Sequence, residues 1–298
     1  FTLESFTKLN RKILILGVDG MIGHKIAQVL AINNEVTGTS RKEISSRDLG
    51  IKRATILNKD FVIDKSLDFI SDIMPDVIIN CVGITTRRIN ESNTNHLSLI
   101  NSDLPKLIND WSMNNSIKMI HMSTDCVFSG KSGNYLDDDI PDAEDIYGYS
   151  KSIGEINNNK TLTLRSSMIG REIYNHTELF EWLIKNKNGK IEGYDNVIYS
   201  GITTIRMAKI IDFILKENLN LSGIYNISSI PISKYDLLKL LINSFDLKID
   251  ISKTAQIKSN KVLISKKFTE ITGIKTPNWT DLISEFKQDC ETYSDVYK

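Results

Sequence analysis

Apolar residues in the first 165 positions alternate between short continuous runs and sets spaced like one face of a helix. The runs predict buried strands at residues 12–16, 35–40, 76–82, 117–124 and 161–166. Between them, apolar residues recur every three or four positions and predict helices over residues 21–32, 65–73, 97–111 and 147–155, with a bend near Pro105 in the third. This alternation is typical of a parallel sheet that is covered by helices on both faces.

The pattern is less regular after residue 166. Polar segments separate four predicted helices, over residues 178–185, 205–215, 233–245 and 279–286, and Ser233 with Asp236 resembles a capping box at the start of the third. No internal repeat or low-complexity linker divides the chain. We therefore expect a smaller α+β lobe that packs closely against the parallel sheet.

Composition narrows the class of protein. The length of 298 residues favours about two domains. Lysine plus arginine and aspartate plus glutamate both come to 37, so the net charge is zero, which argues against a general nucleic-acid binder. No apolar run reaches the ~18 residues that a membrane span needs, and the chain does not open on a charged-then-apolar leader, so we expect a cytoplasmic protein without a membrane partner.

Cysteine and histidine usage indicates neither a disulfide framework nor a metal site. The cysteines are Cys81, Cys126 and Cys290, and the histidines are His24, His96, His121 and His176. The cysteines are odd in number, far apart and without a C-x-x-C pair, as expected in a reducing cytosol. The histidines lack H-x-x-x-H spacing, so we expect no structural zinc.

A glycine-rich turn follows the first predicted strand. The residues from Gly17 to Gly23 read GVDGMIG, which is G-x-x-G-x-x-G, and they lead into the first predicted helix. Glycines there allow a tight turn and a close approach of the backbone to a pyrophosphate, while the helix N-terminus supplies N–H donors. This placement predicts a dinucleotide site with contacts from Gly17, Asp19, Gly20, Met21 and Ile22.

The end of the second strand bears on which dinucleotide binds. NAD sites usually carry an acid there for the ribose 2′-OH, whereas NADP sites use arginine. Here the strand ends in Thr39, Ser40, Arg41 and Lys42, with no acid. We expect NADPH, with Ser40 and Arg41 at its 2′-phosphate, and leave NADH open. A solvated basic loop is the alternative interpretation.

Tyr147 and Lys151 form a Y-x-x-x-K motif on a predicted helix. At this spacing they share one face, which brings the ammonium beside the phenol. A tyrosine, whose ordinary pKa is about 10, needs a nearby cation to act as an acid–base group at neutral pH. Upstream, the strand over residues 117–124 ends in Ser123, Thr124 and Asp125, which offers a hydroxyl to a substrate carbonyl.

Together these motifs resemble the extended short-chain dehydrogenases/reductases that act on nucleotide sugars, and most of all the dTDP-4-dehydrorhamnose reductase family. The matching stretches are KILILGVDGMIG, PDVIINCVGI, STDCVFSG and DIYGYSKSIGE, with weaker matches in LTLRSSMIG and SGIYNISSIPISKYDLL. They cover most of the chain, best over residues 11–170. The resemblance implies an α/β fold. Residues 1–166 would form an NAD(P)-binding domain on a Rossmann-type doubly wound parallel sheet, and residues 167–298 a smaller C-terminal α+β lobe that mainly binds the sugar nucleotide and returns some segments to the sheet.

The resemblance also implies roles for individual residues. Thr124 would orient the keto oxygen, Tyr147 would donate its proton, and Lys151 would hold the ribose and lower the pKa of the Tyr147 hydroxyl. The implied cofactor contacts are Tyr147 and Lys151, then Cys81, Val82 and Gly83, which would line the cofactor, and Asp60 and Phe61, which would flank its adenine.

The position after Asp125 departs from the family. Related 4,6-dehydratases carry an Asp–Glu pair there and rhamnose reductases an aromatic residue, whereas this chain has Cys126, which argues against dehydration. In this feature the chain is similar to GDP-fucose synthase, which has a cysteine at this place and also epimerises its substrate. His176 would correspond to the histidine partner of that cysteine. A thiol and an imidazole could exchange a proton next to the ketone. The alternative is a half-buried cysteine and a helix-start histidine with no role in the reaction.

Other residues carry weaker signals. Arg87 and Arg88 could meet a diphosphate or a sugar hydroxyl, or form a solvated pair. We expect Asn101 to bond a main-chain carbonyl beneath the active site, and Trp182 to belong to the core. Residues 194–201 would lie where the family binds the sugar nucleotide.

The sequence therefore predicts NADPH-dependent reduction of a nucleotide-linked 4-keto-6-deoxyhexose, on dTDP or UDP and with or without a 2-acetamido group. Epimerisation at C3 before reduction is left open, as is a homodimer. A nucleotide-sugar epimerase with bound NAD⁺ would use the same Thr, Tyr and Lys, but Arg41 and the missing acid count against it. A non-catalytic Rossmann-fold regulatory subunit is the third alternative, and the intact Y-x-x-x-K motif counts against it.

Overall fold

A parallel sheet of seven strands lies at the centre of the computed structural model, which describes residues 10–64, 66–90 and 93–297. Its strands follow the order β11-β6-β5-β4-β1-β2-β3. This is the strand order of a Rossmann fold with one strand added beside the sixth, so the predicted fold class is confirmed. The strands are β1 (Lys12–Leu16), β2 (Glu35–Ser40), β3 (Thr55–Asn58), β4 (Val77–Asn80), β5 (Lys118–Ser123), β6 (Leu162–Arg165), β7 (Met168–Ile169), β8 (Lys190–Tyr194), β9 (Val197–Tyr199), β10 (Ile202–Thr203), β11 (Gly223–Asn226), β12 (Ile232–Ser233), β13 (Asp250–Thr254) and β14 (Ser259–Asn260).

Helices cover both faces of this sheet and build the second lobe. They are α1 (Gly23–Leu30), α2 (Phe69–Ile73), α3 (Leu104–Asn114), α4 (Ile146–Ile153), α5 (Leu179–Lys185), α6 (Thr204–Lys216), α7 (Lys234–Ser244), α8 (Lys266–Thr272) and α9 (Trp279–Thr292). A π-helical turn, Leu99–Asp103, leads into α3 just before Pro105, where the sequence predicted a bend. Proline cannot donate a helix hydrogen bond, which explains a departure from α geometry there. Lys65, where the second helix was predicted to begin, lies outside the described residues.

The sheet is buried on both faces because helices cover it. In β1, the side chains of Ile13, Leu14, Ile15 and Leu16 are all at most 1% exposed. Burying one such side chain contributes about 1.5–3 kcal/mol to the stability of the fold. One continuous apolar cluster runs from β1 to Phe286 on α9, so the predicted close packing of the two parts of the chain is confirmed.

Residues beyond 166 contribute to the main sheet as well as to the second lobe. Strand β11 pairs with β6, placing Gly223 opposite Leu162. The remaining strands form small sheets, β7 with β10, β9 with β12 and β14, and β8 with β13. Helix α7 begins where the capping motif was predicted, since Ser233 Oγ accepts a hydrogen bond from the Asp236 N–H at 3.0 Å. The boundary at residue 166 remains a prediction.

Helix α1 packs against the C-terminal end of α9 and the residues that follow it. Lys25 on α1 is buried, donates to Asp289 Oδ1 at 2.8 Å, and lies 4.2 Å from the ring centre of Tyr293. His24 Nε2 bonds the Tyr297 hydroxyl at 2.9 Å. Burial lowers the pKa of Lys25, and the Asp289 charge opposes this. These contacts fix α1 in place.

Within the described ranges, no helix is long and apolar enough to cross a membrane.

Candidate active site

The glycine turn between β1 and α1 lies at the carboxyl edge of the sheet. The Gly17 N–H donates to Thr39 Oγ1 at 3.1 Å, which ties the turn to β2. A Cβ at Gly23 would lie 2.1 Å from the Gly17 carbonyl oxygen, so the helix can start this close to the strand only with glycine at position 23. The turn leaves the N-terminal end of α1 as a place for a pyrophosphate, and it therefore fits the predicted dinucleotide.

The turn after β2 presents two cations beside the glycine turn. Ser40 Oγ accepts from the Lys42 N–H at 3.0 Å, and Asn58 Nδ2 donates to the Arg41 carbonyl at 3.3 Å. The Arg41 and Lys42 side chains are both exposed, and Lys42 Nζ lies 3.7 Å from the ring centre of Tyr174. The alternative of a solvated basic loop stays open beside the predicted contact with a 2′-phosphate.

The other predicted cofactor residues follow β3 and β4. Asp60 Oδ1 accepts from the Val62 N–H at 2.9 Å, and Phe61 is buried in the core beside Phe69. After β4, Val82 lies against the glycine turn. A Cβ added at Gly17 would be 3.1 Å from Val82 Cγ2. The half-buried Cys81 and Gly83 flank Val82 on this loop.

Asn101 joins that loop to the helix that carries the Y-x-x-x-K motif. Its Oδ1 accepts from the Ile84 N–H at 2.9 Å, and its Nδ2 donates to the Ile84 carbonyl and to Ser150 Oγ, both at 3.0 Å. The predicted bond to a main-chain carbonyl is confirmed. One buried amide thus positions the loop after β4 relative to α4.

Thr124 and Tyr147 meet because α4 starts directly beside the end of β5. Thr124 is buried, and its Oγ1 accepts from the Cys126 N–H at 3.1 Å. A Cβ at Gly148 would lie 2.1 Å from the Cys126 carbonyl oxygen, so only glycine at that position lets α4 come this close. Burial raises the pKa of the Tyr147 hydroxyl, the Cys126 thiol adds to this, and hydrogen bonding with Thr124 opposes it. Tyr147 is therefore protonated at neutral pH.

Lys151 is buried behind these residues. Its Nζ donates to the Met122 carbonyl oxygen of β5 at 2.8 Å. Burial lowers the pKa of Lys151 to about 8, and the charges of Glu155 and Cys81 oppose this. Because its bond points at the strand, the lowering of the Tyr147 pKa by Lys151 stays a prediction.

The two residues predicted for epimerisation lie in different surroundings. Cys126 is beside Tyr147, and burial raises the pKa of its thiol to about 12. His176 Nδ1 bonds Glu181 Oε2 at 3.3 Å, and α5 begins at Leu179, so His176 precedes the helix instead of starting it. Of this pair, Cys126 bonds Thr124 and acts on Tyr147, whereas the His176 ring bonds Glu181 on α5.

Sequence reasoning missed two charged residues of the second lobe that reach this site. Lys234 Nζ lies 3.8 Å from the ring centre of Tyr199, which belongs to the predicted 194–201 segment. Burial lowers the pKa of Lys234 to about 8, and the charges of Asp125 and Cys126 oppose this. Glu178, just ahead of α5, accepts from Thr85 Oγ1 at 2.9 Å and adds to the charges around Tyr147.

The remaining predicted residues have defined places. Arg88 Nη2 pairs with the buried Glu172 at 2.6 Å, so a solvated arginine pair is wrong for Arg88. Arg87 is exposed, and its Nη1 donates to the Thr177 carbonyl at 2.9 Å. Trp182 packs against the core, as predicted. Among the described residues, no group of three or more His, Cys, Asp or Glu side chains is placed to bind a metal.

A comparison with known protein families assigns this chain to one of them. The profile of the RmlD substrate binding domain family matches residues 11–292. The chain belongs to this family. The resemblance seen in the glycine, strand-end and Y-x-x-x-K motifs is thereby confirmed.

Two relatives of this chain differ in the share of their length that the match covers. The chain is 30% identical to the dTDP-4-dehydrorhamnose reductase of Burkholderia thailandensis over 146 residues, which is 49% of this chain and 44% of that protein. It is 25% identical to the spore coat polysaccharide biosynthesis protein SpsK of Bacillus subtilis over 293 residues, 93% of this chain and 97% of SpsK. The chain thus matches less than half the length of the first relative and nearly all of the second.

A solved structure agrees with the fold. The dTDP-4-dehydrorhamnose reductase of Bacillus anthracis, in complex with NADP, superimposes with a TM-score of 0.74 at 18% identity, over 94% of this chain and 99% of that one. At this identity the likeness shows the Rossmann-type fold alone.

Proposed function

We propose that this member of the RmlD family reduces the keto group of a nucleotide-linked 4-keto-6-deoxyhexose with NADPH. The observation that carries the proposal is the meeting of Thr124 with the protonated Tyr147 at the sheet edge that also holds the glycine turn. The similarity to a dTDP-4-dehydrorhamnose reductase and the NADP in the Bacillus anthracis neighbour support it.

The residues of this chain divide the reaction between them. The glycine turn and Lys151 would hold the cofactor, which would supply a hydride. The Thr124 hydroxyl, which donates to Asp125 Oδ1 at 3.2 Å in this structure, would turn to donate to the keto oxygen and fix its position. Tyr147 gives its proton to that oxygen as negative charge develops there, which is general acid catalysis. The Lys151 ammonium stabilises the phenolate that remains.

The charges around the site support a sugar nucleotide as substrate. Lys234 and Lys261 both act electrostatically on Asp125, and Arg87 acts on Lys234, so three cations lie within electrostatic range of this end of the site. Cations held close together favour an anion between them, and a diphosphate supplies one. We therefore place the diphosphate beside these three side chains and the sugar at Thr124 and Tyr147. Whether the chain forms a homodimer stays a prediction.

A turnover assay tests the proposed reaction directly. The protein is incubated with NADPH and a panel of dTDP- and UDP-linked 4-keto-6-deoxyhexoses, the loss of NADPH is followed by absorbance, and the product is identified by NMR. Reduction at C4 of one panel member is the expected result. Absence of turnover with every member would point to the non-catalytic regulatory alternative, and cofactor retained through purification as NAD⁺ to the epimerase.

Arg41→Ala is expected to weaken NADPH binding far more than NADH binding. A charge-assisted contact with the 2′-phosphate contributes about 1.5–3 kcal/mol, or roughly ten- to hundredfold in affinity. Dissociation constants for both cofactors, measured by fluorescence titration, check this. Arg47→Ala, at another exposed arginine nearby in the chain, is the control and should change neither constant. Equal losses for both cofactors would show that Arg41 does not read the phosphate.

Epimerisation at C3 before reduction stays a prediction from the resemblance, since His176 is bonded to Glu181. Wild-type protein with a 4-keto sugar nucleotide and NADP⁺ in D₂O would incorporate deuterium at C3, while Cys126→Ser would lose this exchange and still reduce a pre-epimerised substrate. NMR of the recovered sugar measures the label. An unlabelled C3 with wild-type protein would leave a plain reductase.

A further inference from the structure

Glu178 is a carboxylate of the second lobe whose charge acts on the Tyr147 hydroxyl. It stands immediately ahead of α5, in an extended backbone conformation, and is half-buried. Burial is the main reason that the pKa values of the Tyr147 and Tyr199 hydroxyls are raised, and the negative charge of Glu178 contributes to both. Its carboxylate therefore lies within electrostatic reach of the hydroxyl that we assign to the keto oxygen.

The segment that carries Glu178 is clamped onto the loop after β4. The buried Glu172 accepts from the N–H groups of Thr177 and Glu178 at 2.6 and 2.7 Å, and its other oxygen pairs with Arg88 at 2.6 Å. Arg87 Nη1 donates to the Thr177 carbonyl at 2.9 Å. Bonds on both sides of residue 177 fix the backbone there, so the direction of the Glu178 side chain is set before any substrate arrives.

Only one oxygen of the Glu178 carboxylate is bonded within the part of the chain that the structure describes. Thr85 Oγ1 donates to Oε1 at 2.9 Å, and Oε2 has no bond to a described residue. An ionised carboxylate only accepts hydrogen bonds, so its free oxygen suits a ligand that presents an O–H group. In a 4-keto-6-deoxyhexose, C3 beside the reacting ketone carries such a group, whereas C5 on the other side carries a methyl group.

We infer that Glu178 contacts the substrate and accepts a hydrogen bond from the sugar hydroxyl at C3, next to the keto carbon. The inference rests on the proposed function and deepens it, because it names a substrate feature that the site selects. A 4-keto sugar with a 3-hydroxyl would bind with its keto oxygen at Thr124 and Tyr147 and its hydroxyl at Glu178. A hydrogen bond to a charged group at this place gives roughly ten- to hundredfold selectivity over a 3-deoxy sugar.

The neighbouring His176 does not compete for this role. Its ring bonds Glu181, and its carbonyl accepts from Lys185 Nζ at 2.6 Å, so it is anchored on the flank of α5. The backbone turns through left-handed conformations at Asn175 and His176, with φ of 69° and 52°. The bonds separate the two side chains, since the His176 ring is held by Glu181 and the Glu178 carboxylate by Thr85.

The test uses two probes, dTDP-4-keto-6-deoxyglucose and its 3-deoxy counterpart, with NADPH and the full-length protein. Wild-type protein should show kcat/KM roughly ten- to hundredfold higher for the first probe. Glu178→Gln and Glu178→Ala should lose most of that preference by losing rate on the hydroxyl-bearing probe, with little change on the 3-deoxy probe. Glu192→Gln, at an exposed glutamate on β8, is the matched control and should keep the wild-type preference.

The outcomes separate this inference from the proposed function. Equal losses on both probes would mean that Glu178 only holds the fold, and no loss on either would mean that it does not touch the sugar; both results overturn the inference while reduction itself stands. Wild-type protein that reduces the two probes equally well overturns it without any variant. Failure of wild-type protein to reduce either probe, or any other 4-keto sugar nucleotide, overturns the proposed function and the inference with it.

Discussion

Tyr147→Phe is expected to lower kcat by about 10²- to 10⁴-fold, because the ring stays in place while the proton donor is lost. The Tyr147 hydroxyl is well suited as a donor at neutral pH, since burial raises its pKa. The NADPH dissociation constant should stay close to the wild-type value, because the glycine turn and Lys151, which we propose hold the cofactor, are unchanged. Steady-state turnover and a fluorescence titration with NADPH measure the two effects.

Tyr149→Phe is the matched control for this experiment. Tyr149 lies on the same helix, two residues further on, and its side chain is 61% exposed. We expect unchanged turnover in this variant, because the hydroxyl is in solvent. Turnover near the wild-type level in Tyr147→Phe itself would rule out tyrosine as the acid.

Lys151→Met is expected to reduce kcat/KM by about 10²-fold or more and NADPH affinity by roughly ten- to hundredfold, without loss of stability. Burial lowers the pKa of Lys151 to about 8, which means that the fold disfavours the ammonium that the reaction needs. The lowered pKa shows that burial costs the ammonium more than its neighbours return, so removing the charge relieves a desolvation cost that offsets the lost bond to the Met122 carbonyl. Denaturant unfolding should therefore give an unchanged or higher free energy of unfolding while activity falls.

Lys106→Met, at an exposed lysine on α3, is the control and should alter neither activity nor stability. The same pKa predicts the pH dependence of the wild-type protein. The protonated ammonium is the active form, so kcat/KM should be full below pH 8 and fall as the pH rises through about 8. A large fall in unfolding free energy in Lys151→Met would contradict the view that the charge serves function at the expense of the fold.

The sequence predicted those strands and motifs whose signal lies in neighbouring residues. The run KILIL is buried on both faces and was placed as β1 with its observed bounds. Strand β3, Thr55–Asn58, was missed because it is a short outer strand with half-exposed and exposed side chains. Its pairing with β2 supplies what its own pattern lacks.

The same distinction holds for the candidate site. Thr124, Tyr147 and Lys151 belong to local motifs, and the sequence alone brings them into view. Glu178 and Lys234 reach the site only through contacts between distant segments, such as the bond from Thr85 to Glu178 across 93 positions. The different places of His176, bonded to Glu181, and Glu178, bonded to Thr85, likewise follow from contacts in the folded chain.

The buried pair of Lys25 and Asp289 has a consequence for how the protein is made. These two residues are 264 positions apart, and together with His24 and Tyr297 they secure the helix that starts at the glycine turn. During synthesis, the glycine turn leaves the ribosome early, but the residues that brace its helix leave near the end of the described chain. A growing chain therefore lacks this brace until Asp289 and Tyr297 have been made, and we expect the glycine turn to gain its full rigidity only late in folding.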